Sequence, residues 1–175
     1  ALAIDVARDG VVTRGVLLDV ARAKGKDWLD PAEPVFPEDL DAAEEAAGVK
    51  VEPGDILLVR MGSYRKRLER GPVDPNVAGQ TACHVACAPW FRQREIAMLG
   101  SDTGNDVQPH RYPAVPMPIH QVGLTAMGMW LLDNANLEEL AQACSERNRW
   151  EFMLSMGPLR ISNGTGSPVN PLAIF

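Results

Sequence analysis

The stretch from residue 36 to residue 62 constrains the fold most, because it predicts a helix, a turn and a strand in direct succession. "FPEDLDAAEEAAG" has Pro37 at a suitable first helical position, acidic residues in the first turn and Gly48 after the last turn. Pro53 and Gly54 then predict a turn before the apolar run "ILLVRM". A helix that runs directly into a short apolar strand indicates an α/β protein.

Other segments repeat this alternation of strand and helix. The run "VLLDV" predicts a buried strand within residues 11–20, and residues 96–100 predict another strand after a short helix at residues 89–94. Asn136 is a suitable N-cap for a surface helix, and "WEFMLSMGPLRI" predicts a last core strand before a turn-rich tail. We expect a mixed α/β fold in which residues 1–175 form a single domain.

Composition limits the classes of partner. The chain has 17 Lys and Arg against 23 Asp and Glu, a net charge of −6, which disfavours binding to nucleic acid or to an anionic membrane. No apolar stretch approaches the roughly 18 residues that cross a bilayer, and the first residues lack the features of a signal peptide. Three cysteines are too few for a disulfide scaffold. We therefore expect a cytoplasmic protein with reduced thiols, whose partner is a small molecule or another protein.

One histidine and one carboxylate form the leading candidate site. His120 follows Pro118 in the apolar segment "PMPIHQVGLTAMGMWLLDN", and Asp133 lies thirteen residues later. If residues 121–127 form a short helix and residues 129–132 a strand, the chain doubles back and brings the two side chains together. An imidazole and a carboxylate in an apolar pocket can bind a metal or act as an acid and base pair. On spacing alone, a histidine that is hydrogen-bonded within the core is somewhat more common than a metal ligand.

Two further features of the sequence contain residues that could form a functional site. Asp102 follows the strand at residues 96–100, and polar residues at the carboxyl end of such a strand often line a site in α/β folds, so Asp102 is a lower-ranked candidate. The motif "CHVAC" places Cys83, His84 and Cys87 within five residues. A structural zinc site needs four ligands, and no second pair of Cys or His lies near this motif, so we do not expect zinc there.

Several stretches together resemble the cyclase family, which includes metal-dependent kynurenine formamidases and isatin hydrolases. The matching stretches span nearly the whole chain in the order of the family: "TRGVLLDVARAKG", "PEDLDAAEEAAGVKVEPGDILLVRMG", "CAPWFRQREIAMLGSDTGNDVQP", "PIHQVGLTAMGMWLLDNANLEELAQAC" and "EFMLSMGPLRISNGTGSPVNPLAIF". The resemblance implies a swivelling β/β/α fold. It also implies an arylformamidase-like amidohydrolase, in which water activated by a divalent metal, zinc or manganese, hydrolyses a small cyclic or N-acyl amide.

The resemblance also implies roles for individual residues. His120 matches a histidine of the family and is expected to be a metal ligand or a general base, and Asp133 falls where a glutamate is usual. Aspartate is shorter by one methylene, so Asp133 either ligates the metal or orients His120 or a water molecule. Asp102 is expected to be a further member of the pocket. Homo-oligomers are also expected from the resemblance.

The main metal-binding motif of the family, His-x-Gly-Thr-His-x-Asp or a variant resembling Gly-Thr-Gln-Trp-Asp, does not occur in the 175 residues. We expect this chain to be the C-terminal portion of a longer enzyme in which the upstream segment supplies the main ligands. A short relative that has lost catalysis is the alternative for the chain. The alternatives for its function are a binding or scaffold protein of the same fold, and a lyase or dehydratase.

Overall fold

The computed structural model describes residues 3–110 and 112–175, and a mixed β-sheet lies at its centre. In the described residues the sheet has six strands in the order β4-β3-β2-β1-β5-β6. The strands β1 to β4 are parallel, and β5 and β6 extend the sheet in antiparallel orientation. Their bounds are β1 (Val11–Asp19), β2 (Ile56–Arg60), β3 (Met98–Ser101), β4 (Trp130–Leu132), β5 (Glu151–Met156) and β6 (Leu172–Ile174).

Helices connect the parallel strands. Their bounds are α1 (Val20–Ala23), α2 (Pro37–Ala47), α3 (Ser63–Arg70), α4 (Pro75–Ala78), α5 (Ala88–Gln93), α6 (Pro118–His120) and α7 (Glu138–Arg147). The short helix α6 continues into a π-helical segment, Gln121–Met127, and two 3-10 turns cover Ile4–Ala7 and Val85–Cys87. The carboxyl end of α2 is Gly48, with φ 64°, a left-handed conformation that glycine adopts without steric cost.

The two central strands explain why the apolar runs of the sequence are continuous. All five residues of β2 are buried, and its register pairs Leu58 with Leu17 of β1, which is also buried. Strands of a parallel sheet that are covered on both faces need apolar residues at successive positions rather than at alternate ones. The strand β3 packs beside β2 through Gly100, where a Cβ atom would lie only 2.6 Å from Leu58 Cδ2.

The observed elements agree with most of the sequence-based predictions, and the differences lie mainly at element ends and in the tail; β3, for example, begins at Met98 rather than at residue 96. The tail contains the edge strand β6, which the sequence did not predict. The strand predicted from residue 150 to residue 161 ends at Met156, because residues from 157 onward leave the sheet. Helix α7 begins at Glu138, one residue later than an N-cap at Asn136 predicts. The Asn136 side chain nevertheless accepts a hydrogen bond from Glu138 N.

Polar side chains lie at the carboxyl ends of the parallel strands. These ends lie along one side of the sheet, called here its carboxyl edge. Asp19, Arg60 and Ser101 end β1, β2 and β3, and Asp133 directly follows β4. The carboxyl ends of parallel strands lie side by side, so residues distant in sequence meet there. This edge is therefore where a site built from several strands can form.

Two further findings concern the chain as a whole. Cys83, Cys87 and Cys144 are buried free thiols, as the sequence predicts. Across residues 3–110 and 112–175, no helix combines the length and the apolar character needed to cross a membrane.

Candidate active site

The structure brings His120 and Asp133 together at the carboxyl edge of the sheet. The π-helical segment ends at Gly128, whose φ of 67° reverses the chain into β4, and Met129 N donates to Gly123 O at 2.9 Å. As a result His120 Nε2 lies 3.3 Å from Asp133 Oδ2. The reversal that the sequence predicts between the two residues is confirmed, and their chemical role stays a prediction.

A second carboxylate, Asp106, holds the other side of the imidazole ring. His120 Nδ1 lies 2.6 Å from Asp106 Oδ2, and the Asp106 side chain is almost completely buried. Asp106 also accepts hydrogen bonds from two backbone N–H groups, Ile119 N at 2.8 Å and His120 N at 3.3 Å. His120 therefore lies between two carboxylates, of which Asp106 is the closer and the more buried.

This arrangement changes the protonation of the site. The hydrogen bond of His120 to Asp106, followed by that to Asp133, raises the pKa of His120 to about 9, although partial burial of the ring acts in the opposite direction. Burial alone would raise the pKa of Asp133, but hydrogen bonds from His120 and Asn105 outweigh it and lower that pKa. At neutral pH the metal-free ring is therefore a cation that donates to both carboxylates. A metal ion at Nε2 would have to displace that proton.

Asn105 contacts Oδ1 of Asp133, the carboxylate oxygen that does not face His120. Its Nδ2 donates to Asp133 Oδ1 at 2.7 Å and to Leu132 O at 3.0 Å. The residue is buried and has a φ of 57°, which asparagine tolerates better than most residues. Its Oδ1 is buried without a hydrogen-bond partner among the described residues. An unsatisfied buried acceptor costs about 1–3 kcal/mol.

Asp102, the third residue that the sequence singled out, contacts a different part of the protein. Its Oδ1 accepts from Met61 N at 2.9 Å and its Oδ2 from Ser63 N at 2.7 Å. Burial raises the pKa of Asp102 to about 6, although these two hydrogen bonds act in the opposite direction. Both oxygens accept hydrogen bonds from the backbone between the end of β2 and the start of α3. Asp102 therefore connects the carboxyl end of β3 to that of β2. The structure does not bring it together with His120 and Asp133.

Asn105 and Asp106 were not predicted from the sequence. Both lie in "GSDTGND", just after β3, where the strand-end rule that selected Asp102 also applies. That rule does not say how a loop folds after the strand. Asp106 reaches His120 only because the loop turns toward β4, and the sequence carries no local signal for that direction.

The donor atoms of the site fit part of a metal-binding site. Two ligand atoms on one tetrahedral metal at about 2.0–2.2 Å lie roughly 3.3–3.6 Å apart. The 3.3 Å between His120 Nε2 and Asp133 Oδ2 falls at the lower end of this range. Metal-binding histidines usually donate their second N–H to a carboxylate or carbonyl, the position that Asp106 occupies here.

Two donor atoms do not complete a site. Within the part of the chain that the structure describes, no group of three or more His, Cys, Asp or Glu side chains is arranged to hold a metal ion. The motif of Cys83, His84 and Cys87 does not supply one either. There, His84 Nδ1 accepts from Ala86 N at 3.1 Å, and Cys87 Sγ lies 3.3 Å from Val35 O.

Comparisons with known proteins bear on the fold of the chain. The Cyclase family model matches residues 2–105, which include Asn105 and end just before Asp106. A solved structure described as a novel cyclase is 29% identical with a TM-score of 0.86, covering 99% of this chain and 56% of that one. No curated protein sequence matches the chain.

More distant structures share the fold. Isatin hydrolase A from Labrenzia aggregata, bound to benzyl benzoate, is 23% identical with a TM-score of 0.72, covering 98% of this chain and 64% of that one. A predicted metal-dependent hydrolase from Bacillus stearothermophilus is 14% identical with a TM-score of 0.59, covering 93% and 63%. The present chain thus spans between 56% and 64% of the length of these three proteins.

Proposed function

This chain belongs to the cyclase family, and we propose that it forms part of a metal-dependent hydrolase acting on a small cyclic or N-acyl amide. The observation that carries the proposal is the 3.3 Å approach of His120 Nε2 to Asp133 Oδ2, with Nδ1 of the same ring bonded to Asp106. This short distance supports one cation bound by both residues, with the orientation of the His120 ring set by Asp106.

His120 and Asp133 would hold a zinc or manganese ion through Nε2 and Oδ2. Bound there, the metal would supply an activated water at neutral pH and polarise the amide carbonyl of the substrate. The remaining ligands would come from polypeptide outside residues 1–175, such as the upstream motif that the family resemblance implies. The names of the similar structures, isatin hydrolase and metal-dependent hydrolase, support this class of chemistry.

The residues of this chain would contribute in distinct ways. The Asp133 side chain is 39% exposed, whereas that of Asp106 is enclosed. Once His120 has given up its proton, Nε2 carries a lone pair directed toward Asp133 and toward the open side of the site. That lone pair can bind a metal or accept a proton, and the first of these roles is the one proposed.

The test compares residues 1–175 alone with the complete product of the gene. Each is purified, its metal content is measured by inductively coupled plasma mass spectrometry, and hydrolysis of isatin and of an N-formyl aromatic amine is assayed. We expect about one metal ion per chain and hydrolysis in the complete product, and loss of both in its His120→Ala variant.

The matched control is His110→Ala, which removes an exposed histidine and should leave metal content and hydrolysis unchanged. Absence of metal from the complete product would contradict the proposal and favour a non-catalytic binding protein. Bound metal without hydrolysis, but with elimination of water from a hydroxylated substrate, would favour a lyase.

A further inference from the structure

We propose that Asn105 and Asp106, two consecutive residues, act as a positioning pair that fixes the orientation of Asp133 and His120. This inference rests on the proposed function, since it assigns the residues that prepare those two side chains for a cation. It concerns two residues that were not predicted from the sequence. Neither residue of the pair needs to touch the cation or the substrate.

The hydrogen bonds of the pair are divided between the two partners. Asp106 Oδ2 contacts His120 Nδ1 at 2.6 Å, and Asn105 Nδ2 contacts Asp133 Oδ1 at 2.7 Å. The direct contact between His120 and Asp133 is longer, at 3.3 Å. His120 and Asp133 therefore each make a shorter hydrogen bond to the pair than to each other. His120 Nε2 and Asp133 Oδ2, which face each other, remain available for a third group.

Asp106 determines which nitrogen of the neutral ring carries the proton. The shorter contact to Nδ1 favours the tautomer in which Nδ1–H donates to Asp106 and Nε2 is unprotonated. The opposite tautomer would direct Nε2–H toward Asp133 and leave the buried carboxylate of Asp106 facing a lone pair. Asp106 thus selects the form of His120 that can bind a cation through Nε2.

Asn105 determines which oxygen of Asp133 is presented. Its amide orientation is fixed by chemistry, because the reverse orientation would place Oδ1 against two acceptors, Leu132 O and Asp133 Oδ1. The hydrogen bond from Nδ2 to Oδ1 of Asp133 holds the carboxylate so that Oδ2 faces His120. A cation at this place would therefore meet one oxygen of Asp133.

Two unfavourable features at Asn105 support a role beyond packing. The residue has a left-handed φ of 57°, and its buried Oδ1 has no hydrogen-bond partner in the described residues. Local costs of this kind are concentrated at functional sites, where the surrounding structure maintains them. A residue serving only to close a turn would be satisfied by glycine at the same φ.

The loop that carries the pair is anchored on several sides. Gln80 Nε2 donates to Asp106 O at 2.9 Å, and the backbones of Gln80 and Gln108 exchange two hydrogen bonds of 2.9 Å. Asp102 binds the segment before α3, and Asn134 N donates to Thr103 O at 2.8 Å. A site held within a few tenths of an ångström needs such support, and here the support converges on the two residues of the pair.

The first test determines which ring nitrogen of His120 carries the proton in the metal-free chain. Long-range ¹H–¹⁵N NMR of the histidine side chains is recorded well above pH 9, where the ring is neutral, with His120→Gln used for assignment. We expect the Nδ1–H tautomer in the unmodified chain. Asp106→Ala should shift the ring to Nε2–H, because Asp133 becomes its remaining carboxylate acceptor.

Asp106→Asn keeps the size of the side chain and serves where Asp106→Ala does not fold; its population of the Nδ1–H form should fall. Asp55→Asn is the matched control, since Asp55 is also buried, accepts from Arg14 and from Glu52 N, and precedes β2 at the opposite edge of the sheet. An unchanged Nδ1–H tautomer in both Asp106 variants would overturn the role of Asp106.

The second test measures zinc affinity of the complete gene product by competition with a chromophoric chelator. Asp106→Asn and Asn105→Gly should each weaken zinc binding by about 10–100-fold, the usual effect of removing a partner of a ligand. Asn148→Gly is the control, because Asn148 has a comparable φ of 47° at the end of α7. Unchanged affinity in both variants would overturn the inference.

The two tests separate failure of this inference from failure of the proposed function. If the complete product binds no zinc, the proposed function fails, whereas the tautomer of His120 still decides whether Asp106 orients the ring. If zinc binds and neither the tautomer nor the affinity responds to the variants, the proposed function survives and the positioning pair is rejected.

Discussion

Two clusters at the carboxyl edge of the sheet share one design, a cation between two carboxylates. In one, Arg60 donates to Asp19 and, through two nitrogens, to Glu138; in the other, His120 lies between Asp106 and Asp133.

The difference lies in what each cation can do. Arginine stays protonated at any accessible pH, whereas the pKa of His120, raised to about 9, lets its ring lose a proton within the accessible range. The Arg60 side chain is 7% exposed, and that of His120 is 20% exposed. The enclosed, permanently charged cluster joins β1, β2 and α7, and the more open, titratable cluster is suited to chemistry.

The largest expected effect tests the chemical side of this comparison. His120→Ala should reduce kcat/KM for amide hydrolysis by the complete gene product on the order of 10²–10⁴-fold, the range for a group that takes part directly in the reaction. Steady-state kinetics with isatin measure this, with His110→Ala as the control. A loss below about threefold would mean that the cluster around His120 resembles that of Arg60 in being structural.

The next effect tests the structural side. Arg60→Met leaves Asp19 buried without its partner and should lower the free energy of unfolding by about 3–5 kcal/mol, measured by urea denaturation. Arg65→Met is the matched control, because Arg65 pairs with Asp27 and Glu69 on the surface, where solvent screening leaves such pairs little effect on stability. Equal losses in the two variants would remove the distinction between buried and exposed arginines.

A pH dependence should distinguish the two clusters further. The pKa of His120 is raised from 6.5 to about 9 on folding, so its contribution to stability is complete below pH 6.5 and is lost as pH rises through 9. After allowance for solvent screening near Asp133, the loss should be about 2 kcal/mol in the metal-free chain. Urea denaturation across this range should show the decline, and His120→Gln should abolish it. A decline that persists in His120→Gln would assign the titration to another group.

The smallest expected effect concerns Asn105. Asn105→Gly removes two hydrogen bonds, but it also removes the unsatisfied Oδ1 and the strain of a left-handed φ, so the free energy of unfolding should change by less than about 1 kcal/mol. Thermal and urea denaturation of this variant beside Asn148→Gly measure the change. A loss above about 2 kcal/mol would indicate that Asn105 chiefly stabilises the fold, as Arg60 does.

Much of the framework could be predicted from sequence because its signals are local. Continuous apolar residues identified β1 and β2, and Gly48 marked the end of α2. The approach of His120 to Asp133 was also foreseeable, since a short helical segment and a strand separate them by only thirteen residues.

The remaining features depend on tertiary structure. The edge strand β6 forms by pairing with β5, where Ser155 is opposite Leu172 and Met153 is opposite Ile174, although Leu172 and Ile174 are largely exposed. All three residues of β6 are apolar although two of them are exposed, so the sequence shows no alternation of polar and apolar residues that would predict a strand. Asn105 reaches Asp133 across 28 residues through the conformation of one loop. No local propensity specifies that loop, so the positioning pair became visible only in three dimensions.

The central claim is that His120 and Asp133 hold one metal ion between them. The most direct measurement is a crystal structure of the complete gene product grown with zinc, with anomalous diffraction data collected at the zinc absorption edge. We predict an anomalous peak at about 2.0–2.2 Å from both His120 Nε2 and Asp133 Oδ2, with Nδ1 still bonded to Asp106. Zinc bound elsewhere, with His120 and Asp133 still bonded directly to each other, would contradict the claim.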